Sequence, residues 1–285
     1  MFGIVGTVAD NEFPMIYDEV VLEGEQIVFG DKRVAVNRGT PAMIAAAVKT
    51  LEYMGEPNPF CYLVGDIGDG EGSKHLYRYL IDHLPGSSLK TLAFHYFQPI
   101  VSLFKRVVSA IGEMPTRPTL IADAGIMYVA KMGGDAPFFD LFTPDAGELA
   151  YLADEEAPHP FYTRGFILQD ENLVPDLIKR AYQHNNASSY LLVKGEKDYV
   201  ANREGIIGVI DSPNIETLEP IGGTGDTLTG VVSALIASGM DIESASAKAA
   251  KVNRLAGSYA NPTPATQVYE IIKQIPRALE EVLRN

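Results

Sequence analysis

The nine residues from Gly222 to Gly230, GGTGDTLTG, limit what this chain can fold into more than any other stretch. Four of the nine are glycine, and glycine lets backbone N–H groups converge where a side chain would block the approach. The residues that follow read as a helix, because Leu228, Val231, Val232, Leu235 and Ile236 recur at i, i+3, i+4, i+7 and i+8 and Gly239 marks the end. A glycine turn feeding a helix whose single apolar stripe packs on a sheet is an α/β arrangement. The positive end of that helix adds to the converging N–H groups, so Gly223, Thr224 and Gly225 predict a cradle for an anion such as a phosphate. Asp226 stands at the helix start, where it either caps the helix or faces the bound anion.

The rest of the chain supports a parallel sheet. Phe2–Val8 is apolar and β-branched, as a buried first strand would be. Residues 18–36 carry short runs broken at Gly24 and Gly30, which predict antiparallel hairpins forming a small β lid. Thr40 reads as the cap of a helix with Pro41 first inside, Ile44, Ala47, Val48 and Leu51 on one face, and Gly55 as its stop. Strands and helices then alternate: Cys61–Val64 and Ser73–His83, Thr91–Phe97 and Pro99–Ile111, Thr119–Ala122 and a short helix, Phe139–Thr143 and Ala146–Leu152. A helix over Val174–His184, a strand over Tyr190–Val193 and two last helices, Ile242–Tyr259 and Thr266–Leu283 with a break at Pro276, complete the pattern. All 285 residues are expected in one α/β domain with the lid as an appendage.

Charge narrows the partners. Lys and Arg number 23 against 37 Asp and Glu, a formal net charge of −14, which repels polyanions and argues against nucleic acid. A single nucleotide remains compatible, because oriented N–H groups and a metal ion override a weak global field at short range. Cys61 is the sole cysteine, which excludes an intrachain disulfide or a cysteine-built zinc site and fits a core residue in a reducing compartment. The N-terminus has no basic region leading into an apolar one, and no run reaches the ~18 apolar residues of a membrane helix, so a cytoplasmic protein is expected. The histidines, His75, His83, His95, His159 and His184, show no i, i+3 or i+4 pairing, so histidine-ligated metal catalysis is not expected.

Two more segments sit where α/β sheets place ligands, beyond the C-terminal ends of strands. In TPDAGELAYL, Thr143–Leu152, Glu148 can hold Mg²⁺ through water or simply sit on a helix surface. Lys194 and Gly195 close the Tyr190–Val193 strand, where a lysine can reach phosphate oxygens or stay solvated. VGDIGDGEGSK, Val64–Lys74, lacks the Gly-Lys-Ser/Thr ending of a P-loop, and GIVGTVAD, Gly3–Asp10, lacks the dinucleotide-binding glycine spacing.

GGTGDTLTGVVSALIASG, Gly222–Gly239, resembles the signature of the ribokinase-like superfamily, as do GTPAMIAAAVKTLEYMG and YLVGDIGDGEGSKHLYRYL with segments of its carbohydrate kinases. The resemblance implies a three-layer α/β/α fold with a mostly parallel central sheet and a small β lid, through which a homodimer can form. It implies an ATP-dependent small-molecule kinase using Mg²⁺, with Asp226 as the catalytic base that deprotonates a sugar-like or nucleoside-like hydroxyl. Gly223, Thr224 and Gly225 become the anion hole and Glu148 part of the Mg²⁺ site. Lys194, Gly195 and Asn253 face the nucleotide, and Asp10, Gly39 and Thr40 face the substrate. Asp145 and the NRGT run depart from the kinase pattern, which prefers asparagine and paired glycines there. A sister branch, the ATP- or ADP-dependent NAD(P)H-hydrate dehydratases, resembles ADAGIMYVA, TPDAGELAYL, VKGEKDYVA and GTGD. Those enzymes carry His-Pro where this chain has Asp145 and Ala146, and they lack the lid. Hydroxymethylpyrimidine and thiazole kinases place cysteine at the position of Asp226. A nucleotide-binding regulatory protein that keeps the fold without turnover is the reading from another class.

Overall fold

The computed structural model describes residues 1–157 and 173–284; His159 lies outside them. Strand β1 (Phe2–Val8) is followed by β2 (Ile16–Glu19), β3 (Val21–Glu23), β4 (Gln26–Phe29), β5 (Lys32–Ala35) and helix α1 (Thr40–Met54). Then come β6 (Phe60–Gly65), α2 (Glu71–His83), β7 (Thr91–His95), α3 (Val101–Gly112), β8 (Thr119–Ala122), α4 (Gly125–Gly133), β9 (Leu141–Phe142) and α5 (Ala146–Ala153). Helix α6 (Val174–Gln183) precedes β10 (Tyr190–Val193), β11 (Asp198–Asn202) and β12 (Gly205–Ile210), and α7 (Thr224–Ala237), α8 (Ile242–Tyr259), α9 (Val268–Ile272) and α10 (Ile275–Arg284) end the chain.

Nine strands form one sheet in the order β12-β11-β10-β9-β8-β7-β1-β6-β2, and β3-β4-β5 form a second, three-stranded sheet. The expected parallel core is present: β7 pairs β8, β8 pairs β9 and β9 pairs β10, all in parallel. The β10–β11 pairing is antiparallel. Residues 18–36 hold the expected antiparallel strands, with Val21 opposite Val28 and Val28 opposite Arg33. Strand β2, however, joins the central sheet beside β6 rather than the small one.

The chain divides into two compact units, one of Met1–Ile4, Ile16–Tyr62 and Ile210–Asn285, the other of Val5–Met15 and Leu63–Val209. In the first, α1 lies against α7, and the approach is close enough that a Cβ on Gly230 would come within 2.2 Å of the Met43 carbonyl oxygen. Glycine is therefore required at this crossing. Ile44, Val48 and Leu51 of α1 and Leu228, Val231 and Leu235 of α7 are buried as their spacing predicts. In the second unit, Phe94, Phe104, Phe139 and Phe142 build an aromatic core, the Phe104 and Phe139 rings stacked at 6.1 Å and Phe94 edge-on to Phe139. Cys61 is fully buried, and burial pushes its thiol pKa up. No helix among the described residues is long and apolar enough to cross a membrane.

Candidate active site

In the first unit the site is built on the start of α7. Gly223 is its N-cap at φ 101°, in the left-handed region, and a Cβ there would meet Val268 Cγ2 at 3.0 Å. Thr224 and Gly225 are the first two helical residues and Asp226 the third. Asp226 thus stands one turn inside the cap, not at the cap position, and its Oδ2 accepts the backbone N–H of Gly39 at 2.6 Å. Gly39 is the N-cap of α1 at φ 68°, ψ −151°, a conformation essentially reserved for glycine. Thr40, expected as that cap, is instead the first helical residue and is buried. One oxygen of Asp226 is fixed by this bond, and the first turn of α7 directs its backbone N–H groups out of the helix end.

Asn253 of α8 braces that turn. Its Oδ1 accepts the Thr227 hydroxyl at 2.6 Å and its Nδ2 donates to the Thr224 carbonyl at 3.1 Å. The amide expected to face the nucleotide is engaged with the glycine turn instead. Arg38 went unnoticed in the sequence. A Cβ on Gly222 would lie 3.7 Å from Arg38 Cδ, and one on Gly223 would lie 3.3 Å from Arg38 Cα, so the stem of the exposed Arg38 runs beside the glycine turn. The signal was its place directly before Gly39.

In the second unit, oxygen donors gather at the ends of β8, β9 and β10. Asp145 caps α5 in a capping box, its Oδ1 accepting the Glu148 N–H at 2.7 Å while Glu148 Oε2 accepts the Asp145 N–H at 2.9 Å. The Tyr128 hydroxyl reaches Glu148 Oε1 at 3.4 Å. Burial and then the charge of Asp123 raise the Glu148 carboxyl above its ordinary value, against the pull of Lys194. Glu148 keeps partial solvent exposure. A carboxylate whose ionisation is opposed by its neighbours is a place where an added cation is stabilised, and the all-oxygen set of Asp145 and Glu148 suits a hard ion such as Mg²⁺.

Lys194 is not solvated at its strand end. Its Nζ lies 3.0 and 2.8 Å from the two oxygens of Asp123, a residue only 3% exposed at its side chain. His95, fully buried at the end of β7, has Nε2 3.8 Å from Asp123 Oδ2. Gly195 donates its N–H to Asp198 Oδ1 at 3.3 Å. Asp10 lies in the turn after β1, exposed, its Oδ1 accepting the Glu12 N–H at 2.9 Å. The rejected glycine-rich loop after β6 has its own explanation: Asp66 accepts the N–H groups of Gly68 and Gly70, and both the N–H and the hydroxyl of Ser73. Burial works against ionisation of Asp66, and the Ser73 and glycine donors outweigh it, holding the carboxyl below its usual range. An internal carboxylate fills this nest of donors.

Backbone strain marks the same strand ends. Tyr96, just after β7, and Ala124, just after β8, have φ of 46° and 49°, which costs about 1–3 kcal/mol for each such side chain and clusters at functional sites.

A family model described as NAD(P)H-hydrate dehydratase, of the carbohydrate-kinase type, matches residues 112–277. An uncharacterized protein of Methanocaldococcus jannaschii is 46% identical over 243 residues, 85% of this chain and 100% of that protein. The bifunctional NAD(P)H-hydrate repair enzyme of Hyperthermus butylicus is 33% identical over 112 residues, 39% of this chain and 20% of that protein. Among solved structures, the ADP/ATP-dependent NAD(P)H-hydrate dehydratase of Bacillus subtilis, co-crystallized with ATP and Mg²⁺, superposes with a TM-score of 0.59 at 13% identity, covering 99% of this chain and 89% of that one. Phosphofructokinase-2 of Escherichia coli superposes with a TM-score of 0.57 at 12% identity, covering 98% and 100%. At such identities the two structures establish the shared ribokinase-like fold.

Proposed function

The chain belongs to the NAD(P)H-hydrate dehydratase family, and we propose that it is an enzyme of that activity, using ATP and Mg²⁺ to remove water from hydrated NAD(P)H. The observation that carries the chemistry is the Asp226 carboxylate, fixed by the Gly39 N–H at the mouth of a glycine turn. Hydroxide is a poor leaving group, so a hydroxyl on a saturated ring carbon is lost readily only after conversion to an ester. Asp226 takes the hydroxyl proton as the oxygen attacks the terminal phosphorus of ATP and the bond to ADP breaks. The C–O bond then breaks, phosphate carries the oxygen and the bonding pair away, and loss of a ring proton restores the double bond. The products are NAD(P)H, ADP and phosphate.

In this reading Gly223, Thr224 and Gly225 present N–H groups to the transferred phosphoryl group, and Arg38 adds positive charge beside them. Asp145 and Glu148 would hold Mg²⁺, which would supply charge neutralisation on the phosphates. Lys194 pairs with Asp123 at the edge of that site, and Asp10 and Gly39 face the substrate, whereas Thr40, buried as the first residue of α1, does not reach it.

One observation favours a second reading, phosphoryl transfer to a sugar-like or nucleoside-like hydroxyl without elimination. The separate antiparallel sheet of β3, β4 and β5 precedes α1, where sugar-type kinases carry a substrate lid. A single assay separates the two: purified protein is given ATP, Mg²⁺ and hydrated NADH, and NADH absorbance and orthophosphate are followed together. Dehydration produces NADH and orthophosphate in equal amounts. ADP formation from ATP only when a sugar or nucleoside is added as phosphoryl acceptor, with no orthophosphate released and no NADH recovered from the hydrate, would replace the dehydratase with the kinase.

A further inference from the structure

The central sheet reverses its winding at β1. The chain passes from β1 to β6 on one side and then, through α2, to β7 on the other side of β1. At such a switch point the two connections diverge and leave a crevice beyond the strand ends. Within the second unit, two hydrogen bonds mark its walls. Thr7 of β1 donates its hydroxyl to the Tyr96 carbonyl at 2.7 Å, and the N–H of Ile67, in the loop after β6, donates to Asn11 Oδ1 at 3.3 Å.

Those two walls carry apolar side chains that the core does not bury. Tyr96 is 49% exposed and Ile67 63% exposed. Tyr96 holds its position in the left-handed region, at φ 46°, a conformation a tyrosine rarely adopts. Its carbonyl is bound by Thr7, and the buried His95 ring packs edge-on against its ring at 4.4 Å. The chain thus bears strain to hold an aromatic face out of the core at the switch point. On the far side of β1, Ile67 lies within the loop locked by Asp66, whose carboxylate binds the N–H groups of Gly68 and Gly70. Asp10 and Asn11 lie between, supplying polar groups at the end of β1.

We infer that Tyr96 and Ile67 form a clamp for a planar heteroaromatic ring of the substrate, with Tyr96 as the stacking face and Ile67 opposite, and that this clamp sets substrate class. It deepens the proposed function, because it selects a dinucleotide or nucleoside bearing a heteroaromatic ring over a sugar phosphate that has none. It rests on that reading for the identity of the dinucleotide alone. Aromatic stacking of this kind tolerates different bases, since each presents a π-face.

The test uses the full chain with its nucleotide site saturated by a non-hydrolysable ATP analogue, so that added probes report a second site. NADH, adenosine and ribose 5-phosphate are titrated by calorimetry into wild type, Tyr96→Phe, Tyr96→Gly and Ile67→Ala. Tyr96→Phe should bind both ring probes as wild type does. Tyr96→Gly should lose about tenfold or more in affinity for them, while melting at or above the wild-type temperature because glycine accepts the positive φ without strain. Ile67→Ala should weaken the same probes and leave ribose 5-phosphate unchanged. Equal ring-probe affinities in wild type and Tyr96→Gly, an equal loss for ribose 5-phosphate, or no ring preference in wild type would each overturn the clamp. Adenosine binding that depends on Tyr96 without NADH binding would leave the clamp standing and count against the dinucleotide substrate.

Discussion

The backbone N–H of Gly39 donates to Asp226 Oδ2 at 2.6 Å, tying the cap of α1 to the first turn of α7 across 187 residues of sequence. The bond depends on Gly39 holding φ 68° and ψ −151°. Gly39→Ala should cost about 1–3 kcal/mol of stability through that strain and lower turnover by displacing the N–H that orients the carboxylate. Melting temperature and kcat on one preparation check this. Unchanged values for both would show that the bond orients nothing.

Glu148→Gln should retain helix α5, because glutamine serves as well as glutamate in a capping box. The Glu148 carboxyl is raised above 4.5 by burial and by Asp123, so the folded state holds its proton more tightly than the unfolded chain. Its contribution to stability is full below the unfolded value and falls as pH rises from there through the folded value. The glutamine variant lacks this term, so its melting temperature relative to wild type should increase between pH 4.5 and more alkaline conditions. Its activity should need more Mg²⁺. A Mg²⁺ titration identical to wild type, with full activity, would remove Glu148 from the metal site.

Lys194→Met should destabilise the protein by about 3–5 kcal/mol, since it leaves Asp123 buried without its cation. Adding Asp123→Leu to that variant should restore much of the loss. Urea denaturation of the two variants measures it, and equal stability of the single and double variants would show that the pair is not coupled.

Arg38→Ala should raise the KM for ATP or the phosphate-bearing substrate with little change in melting temperature, because Arg38 is exposed beside Gly222 and Gly223. Arg38→Lys should recover part of the loss. A KM unaffected in both variants would confine Arg38 to the surface.

Elements with a periodic apolar face were legible from the sequence. Strand β10 has its predicted bounds, and α1, α6 and α7 come within a residue or two of theirs, because spacing of Leu, Ile and Val along one face is a local property. The divided C-terminal helix was expected at Pro276, and the break falls just before it, with the proline in the first turn of α10. The edge hairpin of β11 and β12 escaped notice, since GIIGVI carries exposed isoleucines and valine rather than an alternating buried face. Strand β2 looked like part of the lid because nothing local tells which sheet an exposed strand joins.

The site was legible where the motif is contiguous. Gly223 to Asp226 lie as expected at the start of α7. Contacts made by the fold were not: Asn253 bracing Thr224, Lys194 pairing with Asp123, His95 beside Asp123 and Arg38 beside the glycine turn join residues far apart in sequence. The choice between branches also lay outside the motif, as GTGD is shared by kinase and dehydratase, and the match over residues 112–277 points to the latter.

The role of Asp226 is tested most directly by Asp226→Asn. Asparagine can still accept the Gly39 N–H, so stability should stay within roughly 1 kcal/mol. Removing a negative charge beside the phosphate cradle should leave ATP affinity unchanged or slightly higher. Loss of the general base should lower kcat by about 10²- to 10⁴-fold. Melting temperature, ATP affinity and kcat for dehydration of hydrated NADH, measured on one preparation, should therefore show a folded, nucleotide-binding protein with collapsed turnover. A variant that melts normally, binds ATP and keeps near-wild-type kcat would contradict the assignment of Asp226 as the base.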